Sequence, residues 1–570
     1  MKIQAAEYRR AAREEGVSIL AELDQLRAAL SAPGAPFEMV EQPVGGVQLP
    51  VYRQLPRNLS QLIVAAQGFG DRIFIVSGER RLSYGETLGR AASLAACLRD
   101  ATGRAPIAIA MANSPEWIIA FLAIQLAGAT AVLVNSRGSA EEMGHALQHC
   151  ALLIADRRRA DAVRDAYRGT IIVTGEDGRF HKDGSAIGSA SAPLAPSDAG
   201  PDDTAMILFT SGTTGRPKGA MLSHRGVATA LFNMRHNGAA YLALAARQRG
   251  LDPAVLAQAL PQPASLAIFP LFHVSGVIAS LLMALQFGGK LVLMERWDPA
   301  QALALIGHER ITAVQGPPMI FRDLLDCPAF AASDLGSVGN LGIGGQATPL
   351  PLLERMTRAF PMAAPGGGYG MTETNGAIAA GTGAEYLANP VAAGRILPGT
   401  EVRIADEDGN PLPLGEAGEI QVRSALIMTG YWHDPAATAA AFRDGWFRTG
   451  DIGRLDADRF ITILDRKKDV IIRGGENIYA AELERVFQDC PGVLEVAAFG
   501  LPDERWGERP VLAAVMQPGG FDDPAVLLDF ARDRLAAYKL PAEIRFVGEA
   551  FPRTPVGKID KRALRRALFG

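Results

Sequence analysis

Apolar residues along the chain repeat with two different periods, and each predicts a different element. Residues 17–30 place Ile19, Leu20, Leu23, Leu26 and Leu30 at helical spacing, which predicts an amphipathic helix packed by its apolar stripe against a larger body. From about residue 50 to 460, helical patterns alternate with short continuous apolar runs: IAIAM (107–111), TAVLV (130–134), AMILF (205–209) and KLVLM (290–294). Runs that do not alternate with polar residues suit strands buried on both faces, so helices on both sides of largely parallel sheets are expected. The unit of helix, glycine and strand recurs at 277–294, where VIASLLMALQFGG leads into KLVLM. Beyond 400 the texture changes to short β runs with turns, and from about 469 helix and strand alternate again, enough for a small α+β unit.

The uncharged run from Trp117 to Val134 approaches the length of a membrane span. Its punctuation argues otherwise. Ser114 and Pro115 form a helix start and Gly128 a stop, so the run divides into a buried helix and the strand TAVLV. Residues 175–203, rich in Gly, Ser, Ala, Pro and Asp, form a polar connector. The segment 238–263 is expected to be a helical cover or an oligomer contact.

Composition narrows the class. At 570 residues the chain exceeds one core, and its 48% apolar and 21% charged residues are those of an ordinary globular protein. A net charge of -4 gives no reason to expect nucleic acid or an anionic membrane as a partner. Cys97, Cys150, Cys327 and Cys490 lie far apart, which argues against a disulfide framework or zinc site and fits a reducing cytoplasm. The start MKIQAAEYRRAAREEGVS has no apolar centre and does not read as a signal peptide.

The stretch TSGTTGRPKG (210–219) carries the first chemistry. Glycines admit phosphate oxygens close to the backbone, and hydroxyls and a lysine supply donors. Lys218 nevertheless follows Pro217 and precedes Gly219, which is the wrong frame for the nucleotide-hydrolase P-loop. Seven further stretches follow it: FPLFHVSG (269–276), GGQATP (344–349), YGMTET (369–374), WFRTGD (446–451), DRKKD (465–469), GGENIYAAELE (474–484) and PRTPVGKIDKR (552–562). In this order they resemble the adenylate-forming enzymes, the group of acyl-CoA synthetases, luciferases and peptide-synthetase adenylation domains, over roughly residues 60 to 565.

The resemblance implies an α/β fold: a large N-terminal domain of layered sheets and a small mobile C-terminal α+β domain. It divides the chain into an N-terminal helical extension (1–50), an AMP-binding domain (51–467) and a lid (468–570) hinged at Lys468. It also implies ATP, Mg²⁺ and coenzyme A as co-substrates and cofactor. Thr210, Ser211, Gly212, Thr213, Thr214, Gly215 and Lys218 would hold the outer phosphates, and Thr372 the α-phosphate. Glu373 would hold Mg²⁺, a hard cation suited to carboxylate and phosphate oxygens. Gly345, Gln346, Ala347, Tyr369, Gly370 and Met371 would form the adenine pocket, with Asp451 and Arg466 at the ribose. Lys558 would bridge the carboxylate and α-phosphate in the first step, and His273 would line the carboxylate site. Arg473, Gly474, Gly475 and Trp506 would receive CoA, with Lys539 and Tyr538 standing in for basic residues absent beside Pro541.

No acidic residue interrupts FPLFHVSG, which disfavours an amino-acid substrate. Phe272, Val274, Ser275, Ile343, Gly368 and Gly376, with Asn233 and Asn375 as polar exceptions, are expected to line an apolar tunnel widened by Gly366, Gly367 and Gly368. A medium- or long-chain or bulky apolar acid is therefore expected, joined to CoA. The alternatives are an aryl acid, a carrier-protein thiol as acceptor, or a catalytically silent nucleotide-binding protein. The partners expected are small molecules, with a homo-oligomer open and no transmembrane segment.

Overall fold

The computed structural model describes residues 19–210, 217–345, 348–548, 550–553 and 559–569. Among them, two nine-stranded sheets form the bulk of the protein, joined by a five-stranded sheet, with a second five-stranded sheet near the C-terminus. In the first large sheet the strands Thr170–Thr174, Leu152–Asp156, Ile107–Ala110, Ala131–Leu133 and Thr204–Thr210 run parallel as neighbours. In the second, Ala364–Met371, Asn340–Ile343, Ala313–Gly316, Ala264–Ala267, Lys290–Leu293 and Ile73–Ser77 do the same. All four apolar runs singled out in the sequence are strands of these sheets.

Local signals account for the helices between them. Ser83 Oγ accepts from Glu86 N at 3.1 Å while Glu86 Oε2 accepts from Ser83 N at 2.8 Å, so Tyr84–Thr102 starts on a reciprocal cap. Pro115–Ala127 is capped by Ser114 and ends at Gly128, whose φ of 76° is the left-handed conformation that glycine adopts without strain. Every residue of that helix is buried, because it lies inside the protein core and not in a bilayer. Among the described residues no helix is long and apolar enough to cross a membrane.

Residues 19–31 form the expected amphipathic helix. Leu23 is fully buried against Ala240 and Leu244, with Ile19, Leu26 and Leu30 beside it, while Leu20 packs on Ala392 and Phe460. The extension expected to be helical also contains a hairpin, Met39–Val44 with Val47–Tyr52, turned by Gly45 and Gly46. The strand Val47–Tyr52 runs past residue 50 and seats Tyr52 in the body, so the extension is not separated from the rest at that point. The segment 238–263 is the end of helix His224–Gln248 followed by Pro253–Ala259, with Leu251, Val255 and Leu260 exposed.

One ion cluster ties the edge of the second large sheet together. Arg81, on the edge strand Arg80–Ser83, grips Glu309 with both terminal nitrogens at 2.7 and 2.8 Å, and Lys290 Nζ adds a third contact at 2.8 Å. The hydrogen bonds from Arg81, then those of Lys290, hold the Glu309 carboxyl down at about 2, well below its ordinary value, against the opposing effect of burial. A depressed folded pKa stabilises the native state fully above the unfolded value and loses that stabilisation as pH falls towards about 2. Glu309→Gln is therefore expected to flatten the stability-versus-pH curve between about pH 5 and 2 and to cost roughly 3 kcal/mol at neutral pH. Urea melts of both proteins across that range, showing parallel curves instead, would refute this.

Candidate active site

The strands deliver several of the expected residues to one place. Thr204–Thr210 and Lys218–Ser223 pair antiparallel with Thr210 opposite Lys218, so the glycine-rich stretch connects a hairpin at the end of the first large sheet. Ser211, Gly212, Thr213, Thr214 and Gly215 lie outside the described residues, as do Gln346, Ala347 and Lys558. The strand Gly430–Tyr431 adds to this hairpin, with Tyr431 opposite Ala220.

Tyr431 is the residue the sequence reading missed. Its hydroxyl donates to Glu373 Oε1 at 2.9 Å, and its ring lies 5.3 Å from Lys218 Nζ. Burial, then the Glu373 charge, raises its pKa above the ordinary phenol value, so it remains a donor. One side chain thus holds the carboxylate expected to take Mg²⁺ and the lysine expected to take phosphate. Lone tyrosines are common core residues, and no local pattern distinguishes this one; the signal is long-range pairing.

The strand Ala364–Met371 feeds a tight turn, Thr372–Thr374, that presents Thr372 and Glu373. Thr374 fixes the turn, its hydroxyl accepting from Met371 N at 2.9 Å and donating to Gly376 O at 2.6 Å. Asn375 closes it at φ 51°, in the left-handed region that asparagine tolerates best among residues with side chains. Thr372 is nearly buried, with no hydrogen bond from its hydroxyl to a described residue. Backbone packing demands Gly370, since a Cβ there would collide with the carbonyl of Gly376.

Tyr369 and Asp451 come together although they lie in different sheets. The tyrosine hydroxyl donates to Asp451 Oδ2 at 2.7 Å, and burial followed by the Asp451 charge pushes the phenol pKa far up. Arg466, opposite Asp451 in the adjoining strand, places Nε 3.0 Å from Oδ1 as an ion pair. Among the described residues no donor is aligned on that oxygen, although it is buried. A buried carboxylate oxygen lacking a hydrogen bond is what a ribose hydroxyl would satisfy, so the described residues fit a nucleotide. Gly345 follows the strand Asn340–Ile343 at φ 82°, exposed at the same end of the second sheet.

The residues expected to line an acid tunnel are partly apolar and pack differently from expectation. Phe272, Val274 and Ile343 are buried, and Gly376 opens towards Val274 Cγ2, 3.9 Å from where its Cβ would stand. His273 accepts from Ser275 N at 3.2 Å through Nδ1, which leaves the ring proton on Nε2. The glycine run does not create open width. A Cβ on Gly366 or Gly368 would press against the carbonyls of Gly381 and Ala379 at 2.9 and 3.0 Å, and one on Gly367 against the Tyr386 ring at 2.8 Å. These glycines instead let the strand Gly376–Thr382 and Tyr386 pack closely. Asn233 and Asn375 are fully buried: Asn233 accepts from Tyr52 at 2.8 Å and Asn375 donates to Leu426 O at 2.5 Å.

In the C-terminal sheet, Trp506 is exposed and its ring covers Gly474, where a Cβ would stand 2.9 Å away. Gly475, at φ 88°, has open space beside it, and the Arg473 guanidinium lies 5.8 Å from the indole. Lys539 donates to Glu482 at 2.7 Å, so its charge is already matched. Lys468 sits in the turn Lys467–Asp469, its pKa lowered by burial and then by neighbouring arginines.

Known proteins resemble this chain over most of its length. Residues 62–432 match the AMP-binding enzyme family and residues 482–558 the AMP-binding enzyme C-terminal domain. The chain is 34% identical to a feruloyl-CoA synthase of an Amycolatopsis species over 86% of this chain and 94% of that protein. It is also 34% identical to a Rhodococcus jostii 3-[(3aS,4S,7aS)-7a-methyl-1,5-dioxo-octahydro-1H-inden-4-yl]propanoyl:CoA ligase, over 89% of this chain and 98% of that one. The crystal structure of ATP-bound MatB from Rhodopseudomonas palustris superposes with a TM-score of 0.77 at 27% identity, covering 90% and 99% of the two chains. ATP and CoA are substrates in this group, and the chain belongs to the AMP-binding enzyme family as an AMP-forming acid–CoA ligase.

Proposed function

We propose that the protein converts a bulky apolar carboxylic acid, a ring acid or a long aliphatic chain, first to an acyl-adenylate and then to its CoA thioester, with Mg²⁺ on Glu373. The observation that carries the reading is the convergence of Glu373 and Lys218 on Tyr431. It gives a metal-binding carboxylate and a phosphate-binding cation a fixed separation before ATP arrives, which is the preorganisation that phosphate-centred chemistry rewards. Asp451, whose Oδ1 pairs with Arg466 but accepts no aligned hydrogen bond among the described residues, supports ribose binding, and Tyr369 beside it supports an adenine pocket.

For the acid, the support is the buried apolar set Phe272, Val274 and Ile343 around Gly376. A ring acid is favoured further by the two relatives, whose names specify an aryl and a fused-ring acid. Lys558 supplies the bridging cation of the first step. Residues 51–467 act as the catalytic body and 468–570 as the lid that turns about Lys468, bringing Arg473, Gly474, Gly475 and Trp506 to the CoA.

Pyrophosphate release across aliphatic acids from C2 to C18, aryl acids and fused-ring acids tests the reading. CoA-dependent AMP release with ring or long-chain acids is the expected outcome; saturation by acetate with no response to larger acids would end it. Lys558→Ala should abolish adenylate formation yet retain thioester formation from supplied acyl-adenylate, and equal loss of both half-reactions would remove Lys558 from its role. Tyr431→Phe, which frees Glu373 without altering shape, is expected to raise the Mg²⁺ concentration for half-maximal rate by about 3–10-fold, with KM for the acid unchanged. An unaltered Mg²⁺ titration would show that Tyr431 does not position Glu373.

A further inference from the structure

The helix of residues 19–31 does not seal against the body along its whole length. Between it, helix His224–Gln248 and the turn before strand Ile461–Arg466 lies a cavity of about 300 Å³. Asp24, Arg27, Ser31, His236, Arg395 and Arg459 line it, and none of them belongs to the adenylate motifs.

Its charges do not balance. Arg27 holds Glu385 through two contacts at 2.8 and 3.0 Å, and Arg395 reaches Asp24 at 2.9 Å and Glu385 at 3.2 Å. Two guanidiniums thereby match two carboxylates. His236 is buried, its pKa lowered chiefly by that burial, and Nε2 lies 3.1 Å from the carbonyl of Arg27. Arg459 is the remaining cation, with neither a hydrogen bond nor an ion pair from its side chain to a described residue. Arg395 is buried at the back of the cavity, and its Nε donates to Asp458 O at 2.8 Å. The three contacts it makes use one proton on Nε and one on each terminal nitrogen, leaving two N–H donors over.

Arg459 also stands where the backbone favours another residue. Its φ of 65° is left-handed, in a turn closed by Arg459 N to Asp456 O at 3.1 Å, and glycine would adopt that conformation without strain. A long cationic side chain is placed there instead, on the lip of a cavity already carrying two guanidiniums. We propose that this cavity is a binding site for a small oxyanion, a phosphate- or carboxylate-bearing molecule, gripped by Arg459 with the spare donors of Arg395 behind it and the Ser31 hydroxyl at the rim. Planar guanidinium forks match such oxygens two at a time, and a bound anion would join the N-terminal helix to the strand turn through one ligand.

The test uses the full chain, saturated with AMP and Mg²⁺ so that the nucleotide site cannot report, at constant ionic strength set with chloride. Inorganic phosphate and citrate are titrated separately, reading the thermal midpoint and the heat of binding. A saturable rise with phosphate alone assigns a phosphoryl ligand, with citrate alone a polycarboxylate, and with both a general oxyanion site. Arg459→Gln and Arg459→Gly should each weaken that binding at least about tenfold, while acid-dependent pyrophosphate release without titrant stays unchanged. Arg459→Gly relieves the left-handed backbone, so its midpoint in chloride should not fall, and loss of binding there cannot come from unfolding. No saturable response in the unaltered protein, or a response undiminished in both variants, would overturn the proposal.

Discussion

The hydrogen bond from Tyr369 to Asp451 is the joint on which the catalytic body depends. Tyr369 belongs to the second nine-stranded sheet and Asp451 to the five-stranded sheet, so the bond spans two sheets, and with the sheets packed the buried Tyr369 hydroxyl has its partner in Asp451. A hydrogen bond to a charged group contributes about 1.5–3 kcal/mol, whereas leaving its members buried and unmatched costs comparably. Apolar contact among Ile378, Ile404, Ile420 and Ile461 supplies the area around it. That apolar contact is tolerant of small slips; the 2.7 Å bond is not. The other oxygen of Asp451 accepts no hydrogen bond among the described residues, so on the proposed function the group that links the two sheets would also be the one to receive the ribose.

Much of the fold was legible because its signals are local. Ser114 with Pro115, and Gly128, mark helix ends within a few residues, and the runs IAIAM and KLVLM become strands because nothing polar interrupts them. The hairpin of residues 39–52 was hidden because its strands are half-exposed and carry Pro43 and Pro50, which blunt the β pattern. Tyr431 was hidden for a different reason: its partners Lys218 and Glu373 are distant in sequence, and only the pairing of Gly430–Tyr431 with the hairpin brings them near. The glycine run at 366–368 was legible as a requirement for small residues but not as to what fills the space. Open volume and a closely packed neighbouring strand both demand glycine, and the structure places Gly381, Ala379 and Tyr386 there.

The N-terminal helix shows the same division. Its apolar stripe follows from spacing, and Leu23 is buried as that stripe requires. Its ionic partners do not follow from spacing, since Arg27 meets Glu385, a residue with no exposed surface that also receives Arg395 and the Tyr241 hydroxyl. Ion pairs at such depth are costly to form and more costly to break, by roughly 3–5 kcal/mol when one partner is lost. An apolar stripe alone permits the helix to slide by a turn. The fork of Arg27 on Glu385 fixes one register, and thereby fixes where the cavity lies and which guanidiniums face it.

On the proposed function, chemistry and acid choice would be held by different parts of the molecule. The turn at Thr372–Thr374 has almost no freedom: Gly370 has no room for a side chain, Asn375 is left-handed, and Thr374 bonds on both sides of the turn. A turn so constrained presents Thr372 and Glu373 in one way whatever acid is bound. The acid must then be distinguished by groups that can change without disturbing that turn. On the proposed function, Phe272, just before His273, and Val274, in the helical turn after it, meet this condition, because both side chains are apolar and Val274 Cγ2 lies 3.9 Å from where a Cβ of Gly376 would stand. Van der Waals surfaces can be reshaped by a methylene or a ring at modest cost, whereas the hydrogen-bonded turn cannot. Relatives with one reaction and acids as different as an aryl and a fused-ring propanoate are what that separation allows.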